Sequence, residues 1–366
     1  MIEARNQPDG NGDGDSPRAA SPRRWMRWGV CVASLLLTLC TAEGVVRVFG
    51  LGPPVCAKYR IEPEGGIPFT QLPNGPIVYQ PNVTFSSVYD PTGDQRGYFG
   101  PDGRVTYRIN GFGMRGAAVP IGKAPDTFRV ICLGDSFTFG EGVRYSDTYP
   151  AKLAVLLGSA MPDRDVEVLN AGVQGYGTND AVAFFLMRCR QFRPDVVTLG
   201  FFLNDVTEFS ETIRQNEAMT RELEPSPLAC VSRIWEIFER GRRARELQRE
   251  YFDSIRNSFE SPRWQRCQEI LLGMQKDVAQ RDGFRFVVVL FPVLWELDGE
   301  YPFQDIHTRI ESAVRDAGCE FIDLLDVYRG HHAESLWVHP TDQHPNEIAH
   351  GLAAERIAEQ LLAPPP

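Results

Sequence analysis

Serine is a weak nucleophile until a base takes its proton, and histidine is the usual base. In this chain Ser136 stands in Leu133-Gly134-Asp135-Ser136-Phe137-Thr138-Phe139-Gly140, directly after the largely apolar run Phe128-Arg129-Val130-Ile131-Cys132-Leu133. That run reads as a buried strand of a parallel sheet, and Gly134 lets the backbone turn where it ends. All six histidines come late, at 307, 331, 332, 339, 344 and 350. His339 and His344 share the segment Trp337-Val338-His339-Pro340-Thr341-Asp342-Gln343-His344-Pro345-Asn346. Asp342 precedes His344 by two residues, and in an extended segment that spacing puts both side chains on one side. The carboxylate can then hold one imidazole nitrogen and aim the other at a serine. This is the chemistry of acyl transfer. A metal site from His339, Asp342 and His344 is the alternative, but no His-Glu-x-x-His motif or cysteine pair supports it. His307 falls near the apolar stripe of a helix, His331 and His332 in a polar loop, and His350 inside the last helix as a packing or surface residue.

Acyl transfer also needs donors for a developing oxyanion. The backbone N–H of Ser136 is one. Gly175, in Ala171-Gly172-Val173-Gln174-Gly175-Tyr176, offers a backbone N–H unobstructed by a side chain, and Asn204, in Leu203-Asn204-Asp205, offers a side-chain amide. Taken singly, a turn glycine and a helix-capping asparagine are the plainer readings. Their common position, each after a predicted strand, favours function.

The elements that must position these residues alternate. Strands are expected at 128–133, 166–170, 195–202, 284–291 and 320–324. Helices are expected from about Asp147, with Asp147 or Thr148 as cap and Leu153, Leu156, Leu157 and Met161 on one face, and over 179–192. Two more follow, one with Ile306, Ile310 and Val314 in a stripe and one over 345–362, opened by Pro345. This order predicts an α/β fold: a three-layer, flavodoxin-like, parallel five-stranded sheet with helices on both faces. Residues 126–366 form this domain, in which 206–262 is a long, charged, partly helical insertion after strand three, bent at Pro225 and Pro227. It is read as a lid, a cleft wall or a plain appendage. Residues 51–125, rich in Pro, Gly, Asn and Tyr, form a β-rich preface with a turn at Asn110-Gly111.

Residues 1–27 read as a disordered, basic amino terminus. Residues 28–50 follow as a transmembrane anchor or signal sequence. Arg18, Arg23, Arg24 and Arg27 before the uncharged run Trp28–Ala42 set the start inside and the remainder outside the membrane. Cleavage after Ala42 competes with an uncleaved anchor. The apolar residues after Glu43 favour the anchor. The net charge of −10 argues against a nucleic-acid surface. Of eight cysteines, Cys31 and Cys40 lie in the anchor and six outside it, an even number that permits disulfides in an oxidising compartment. Cys132 is expected as a buried thiol.

From Val130 to Leu362 the chain resembles the SGNH/GDSL hydrolases. The residues that carry the likeness are Gly134-Asp135-Ser136, Gly175 within Asn170–Gly175, Asn204-Asp205, and Asp342 with His344. The resemblance implies Ser136 as nucleophile, His344 as base and Asp342 as its orienting acid. It also implies an oxyanion hole from Ser136, Gly175 and Asn204, with no cofactor and no metal. The family commonly sets its acid three residues before the histidine, where Thr341 stands; the closer spacing here resembles membrane-linked members. The expected activity is hydrolysis of small acyl esters outside the cytoplasmic membrane. The expected partners are an acyl ester substrate, such as an acylated cell-envelope glycan, and the membrane itself, with no nucleic acid. Two alternatives remain open: O-acetyl transfer to an exported polysaccharide, and non-catalytic glycan binding.

Overall fold

A computed structural model of the chain describes residues 22–51, 59–64, 66–94, 96–207 and 226–364. Of the stretch expected to be disordered, 1–27, the part up to Ser21 lies outside these residues, as does Pro225 of the expected bend, while 22–27 are not disordered but form the start of the first helix. In chain order the elements are α1 (Pro22–Val48), β1 (Arg60–Glu62), β2 (Phe69–Gln71), β3 (Ile77–Tyr79), β4 (Thr84–Val88), β5 (Arg104–Arg108) and β6 (Thr127–Gly134). They continue with α2 (Ser136–Phe139), α3 (Tyr149–Ala160), β7 (Asp165–Gly172), α4 (Thr178–Phe184) and β8 (Val196–Phe202). The segment between β8 and the next strand carries α5 (Pro227–Val231), α6 (Arg233–Phe259) and α7 (Pro262–Gly273). The chain closes with β9 (Arg285–Phe291), α8 (Gln304–Asp316), β10 (Glu320–Asp323), β11 (Trp337–His339), β12 (Asp342–Pro345) and α9 (Glu347–Leu362).

Two compact units divide the chain, one within residues 1–53 and 225–242, the other within 54–224 and 243–366. In the first, α1 carries an apolar stretch from Trp25 to Val48 that is long enough to cross a membrane. Near its end Glu43 accepts hydrogen bonds from the backbone N–H groups of Arg233 (2.7 Å) and Ile234 (3.1 Å) and from the Ser232 hydroxyl (3.0 Å). The two backbone N–H groups are donors that a helix leaves unpaired at its start, so Glu43 caps α6 from a distant part of the sequence. Arg47 closes the clasp, donating to Glu43 (2.6 Å) and to the Val231 carbonyl (2.7 Å).

The second unit holds the expected five-stranded parallel sheet, in the order β10-β9-β8-β6-β7. The strands are runs of β-branched and aromatic residues buried on both faces, as a helix-covered parallel sheet requires. Register places Gly134 beside Gly172 and Leu133 beside Leu199, so β6, β7 and β8 end along one edge. The chain runs from β6 to β7 on one side and then returns to β8 on the other. Ligands bind at such a reversal in open α/β sheets. The preface contributes an antiparallel β1-β4-β5 sheet and a β2-β3 pair. Alternate residues of β5 are buried, as expected of a strand with one face on the core.

Helix boundaries differ from expectation at two places. The helix expected over 179–192 is α-helical only to Phe184, then widens and tightens before ending at Arg193 in a left-handed conformation. Pro345 does not open the last helix. It ends β12, and Asn346 caps α9 by accepting from Ile348 N–H (3.0 Å) and Ala349 N–H (3.1 Å). An asparagine that satisfies two orphan donors is the stronger signal.

His350 is a packing residue. It is fully buried, its ring lies over Tyr149, and its Nδ1 accepts from the Tyr149 N–H at 3.1 Å, which joins α9 to the start of α3. Burial first, then the nearby Arg115 and Lys152 cations, pushes its pKa down to about 3. The unfolded chain takes up this proton near pH 6.5, and the folded chain does so only near pH 3. Stability from neutral His350 is therefore present above pH 6.5 and declines as pH falls, by up to about 1.4 kcal/mol per pH unit. Denaturant titrations at pH 7 and pH 5.5 should show this loss in the native chain. His350→Asn, which keeps an acceptor near Nδ1, should show a shallower one.

Candidate active site

The turn after β6 is held from three directions. Asp135 caps α2 by accepting from Phe137 N–H at 2.9 Å, which leaves Ser136 as the first helical residue. At the other end Arg115, fully buried, donates to the carbonyls of Phe139, Gly140 and Val143, each at 2.6 Å. Its guanidinium carbon also lies 4.7 Å from the Tyr107 ring centroid and 4.8 Å from that of Phe139. A cation at a helix carboxyl end meets the negative pole of the peptide dipoles, and the two rings add their own attraction. From below, α2 presses on β7 at Gly172, where an added Cβ would come within 2.2 Å of the Phe139 nitrogen. Only glycine admits that approach.

Ser136, His344 and Asp342 form one hydrogen-bonded chain. His344 Nε2 lies 2.7 Å from Ser136 Oγ, and His344 Nδ1 lies 2.6 Å from Asp342 Oδ1. The carboxylate only accepts, so Nδ1 carries the proton and Nε2 accepts from the serine hydroxyl. Asp342 is fully buried and also accepts from the His344 N–H (3.2 Å) and, through Oδ2, from the Tyr89 hydroxyl (2.8 Å). Burial, together with the Asp342 charge, pushes the Tyr89 pKa well up, which keeps that hydroxyl a donor. The short strand β12 explains the two-residue spacing, because alternate side chains of an extended strand share a side.

Glu141 also faces the imidazole. It is buried, and its Oε2 lies 3.4 Å from His344 Nε2. On the far side Phe137 packs between the His344 ring (centroids 5.4 Å apart) and the Phe202 ring (4.2 Å). Neither Glu141, Tyr89 nor Arg115 was singled out from sequence. The only trace of Glu141 was its place a few residues beyond Ser136. Tyr89 and Arg115 belong to the preface and carry no local signature.

The metal set weighed from sequence does not assemble. His339 Nδ1 lies 2.8 Å from Thr341 Oγ1 and accepts from Thr341 N–H, while Nε2 donates to the Asp90 carbonyl at 3.0 Å. Among the described residues the cluster able to ligate a cation is Glu141, Asp342 and His344, within 4.8 Å of one another. Asp342 and Ser136 already engage both nitrogens of that imidazole.

The expected oxyanion donors lie in loops at the same sheet edge. Gly175 follows β7 with φ +83°, a conformation that suits glycine, and among the described residues its N–H has no backbone acceptor. Asn204 follows β8; its carbonyl accepts from Thr207, and its half-buried side-chain amide has no partner among the described residues. The Ser136 N–H, first in its helix, has no intrahelical acceptor. The two loops are tied together, because Thr178 N–H donates to the Asp205 carbonyl at 2.9 Å. Asp205 is buried, with Oδ2 accepting from Phe202 N–H at 2.9 Å. Burial pushes its carboxyl upward, as does the Asp135 charge, and burial likewise pushes the Asp135 carboxyl upward. Cys132, Cys189, Cys267 and Cys319 are buried free thiols.

No curated protein matches the chain. Similar solved structures include a two-domain esterase active on acetylated mannans, with 17% identity and a TM-score of 0.41; the match covers 64% of this chain and 49% of that one. This chain thus spans about half the length of that esterase. An acetylxylan esterase from Geobacillus stearothermophilus is similar at 15% identity and a TM-score of 0.41, over 67% of this chain and 98% of that one. Another acetyl xylan esterase is similar at 16% identity and a TM-score of 0.39, over 64% of this chain and all of that one. The model of the GDSL-like lipase/acylhydrolase family matches residues 132–352, more than half of the sequence, from within β6 through the His344 segment. This protein belongs to the GDSL-like lipase/acylhydrolase family and is a hydrolase of ester bonds.

Proposed function

We propose that the protein is a serine-dependent esterase of small acyl esters, with Ser136 as nucleophile, His344 as base and Asp342 as its orienting acid. The observation that carries this reading is the unbroken hydrogen-bonded chain from Ser136 Oγ through the imidazole to Asp342. As Oγ bonds to the acyl carbon, its proton passes to Nε2. The buried Asp342 carboxylate stabilises the resulting imidazolium. The N–H groups of Ser136 and Gly175 and the Asn204 amide receive the oxyanion. Nε2–H then protonates the departing alkoxide, which leaves an acyl-serine. Water, deprotonated by the same nitrogen, reverses the steps and releases the carboxylic acid. The aromatic wall of Phe137 and Phe202 beside His344 supports a short acyl group.

The arginines that precede the uncharged run of α1 support a membrane anchor with the catalytic domain outside the cytoplasmic membrane. The natural ester is then one met in the cell envelope, such as an acylated glycan.

A fluorophosphonate probe tests the chemistry, because it phosphonylates only an activated serine. Peptide mass spectrometry should find the adduct on Ser136. An unlabelled protein that also fails to release p-nitrophenol from its acetate ester would sink the proposal. Asn204→Ala removes one oxyanion donor and should lower kcat by about 10²- to 10³-fold with little change in KM. Steady-state kinetics with p-nitrophenyl acetate reads this directly.

A further inference from the structure

Four large apolar side chains of α5 and the start of α6 face solvent: Leu228, Val231, Trp235 and Phe238. Each pair within a helix is three residues apart, so each pair shares one helix face, and the Trp235 and Phe238 rings touch with centroids 5.7 Å apart. Ordinary soluble surfaces scatter such residues singly. Here they cluster on the segment that Glu43 and Arg47 clasp to α1.

The clasp fixes the depth of that segment. The uncharged part of α1, Trp28–Ala42, rises roughly 22 Å at 1.5 Å per residue. The hydrocarbon core of a bilayer is about 30 Å thick. To fill it, α1 must continue through Val45, Val46 and Val48, which leaves Glu43 roughly 7 Å inside the outer boundary of the acyl chains, within the outer leaflet. A carboxylate tolerates that place only when it is paired, and Glu43 is held by Arg47, Ser232 and two backbone N–H groups. Whatever is bound to Glu43 lies at the same depth.

We propose that α5 and the first turns of α6 form a foot that rests in the outer leaflet, with Leu228, Val231, Trp235 and Phe238 among the lipid chains at the headgroup boundary. Tryptophan and phenylalanine suit that boundary, and the following Arg240, Arg242 and Arg243 suit the phosphates above it. The inference rests on the membrane placement of α1 and is independent of the acyl chemistry.

The full-length chain, reconstituted in phosphatidylcholine–phosphatidylglycerol nanodiscs that contain a diazirine-bearing phosphatidylcholine, gives the test. After illumination, lipid adducts should appear on peptides of α1 and on the peptide that spans Leu228–Phe238. The double variant Trp235→Ser, Phe238→Ser, which alters exposed side chains only, should lose the second set of adducts and keep the first. Adducts confined to α1 overturn the foot. Adducts on neither segment overturn both the foot and the membrane placement of α1. Chain-to-chain products through Leu228–Phe238, detected with a bifunctional photoprobe, assign the face to a second copy and likewise overturn the proposal. Fluorophosphonate labelling of Ser136 in the same samples reads the hydrolase chemistry separately.

Discussion

Ser136→Ala is expected to lower kcat for p-nitrophenyl acetate by about 10⁴- to 10⁶-fold, with KM close to that of the native protein. In the proposed mechanism the hydroxyl is the atom that bonds the acyl group, so nothing nearby replaces it. A residual rate above that of water should persist, because the proposed oxyanion donors remain in place. The folded state should be little affected. Beyond His344, among the described residues the hydroxyl has only a weak contact to Asp135 at 3.5 Å. Thermal unfolding monitored alongside the kinetics separates a chemical loss from a folding defect. Adding His344→Ala to Ser136→Ala should cost little more than either change alone, since residues that act as one unit are not additive. A double variant that loses the product of the two single effects would show that the serine and the imidazole act independently, against the proposed relay.

Arg115→Met carries the largest expected effect on stability, on the order of 3–5 kcal/mol. Methionine fills much of the volume but donates nothing, and the carbonyls at the end of α2 lose three charged hydrogen bonds of 2.6 Å each. Asn170 Nδ2 reaches one of them, Phe139 O at 3.2 Å, and covers only part of the loss. Thermal unfolding should fall by roughly 10 °C. Activity should fall at temperatures where the variant is still folded, because α2 holds Ser136 against His344. Arg115→Lys should recover only part of either loss, since an ammonium cannot reproduce the planar fork that meets three carbonyls. An Arg115→Met chain that unfolds within a degree or two of the native one would mean that the turn is held by β6 and β7 alone.

The parts of this protein legible in its sequence share a physical cause. Buried parallel strands need unbroken apolar runs, so the strands of the sheet announced themselves within one or two residues. Ser136, Asp342 and His344 were legible because each sits in a short segment with its own logic: a strand-ending glycine, and an extended spacing of two. What stayed hidden depends on contacts between distant segments. Arg115 is one arginine among many until the fold buries it under α2. Tyr89 carries no signal of its own until Asp342 arrives opposite it. Glu43 looks like an interruption of an apolar helix until α6 supplies the donors it caps. Pro345 misled because proline often opens helices, while the stronger cap, Asn346, stood next to it.

The hairpin of β11 and β12 is sewn to a part of the chain far upstream. Tyr89 grips Asp342, the Asp90 carbonyl takes His339 Nε2–H, and Arg96 donates to the carbonyls of Trp337 (3.0 Å) and Val338 (2.8 Å). All three stitches originate before residue 132, where the family match begins. Modularity therefore ends short of the matched boundary: a fragment trimmed to it, or a chimera that borrows only that stretch, would carry every reacting group and yet leave the imidazole's strand unmoored.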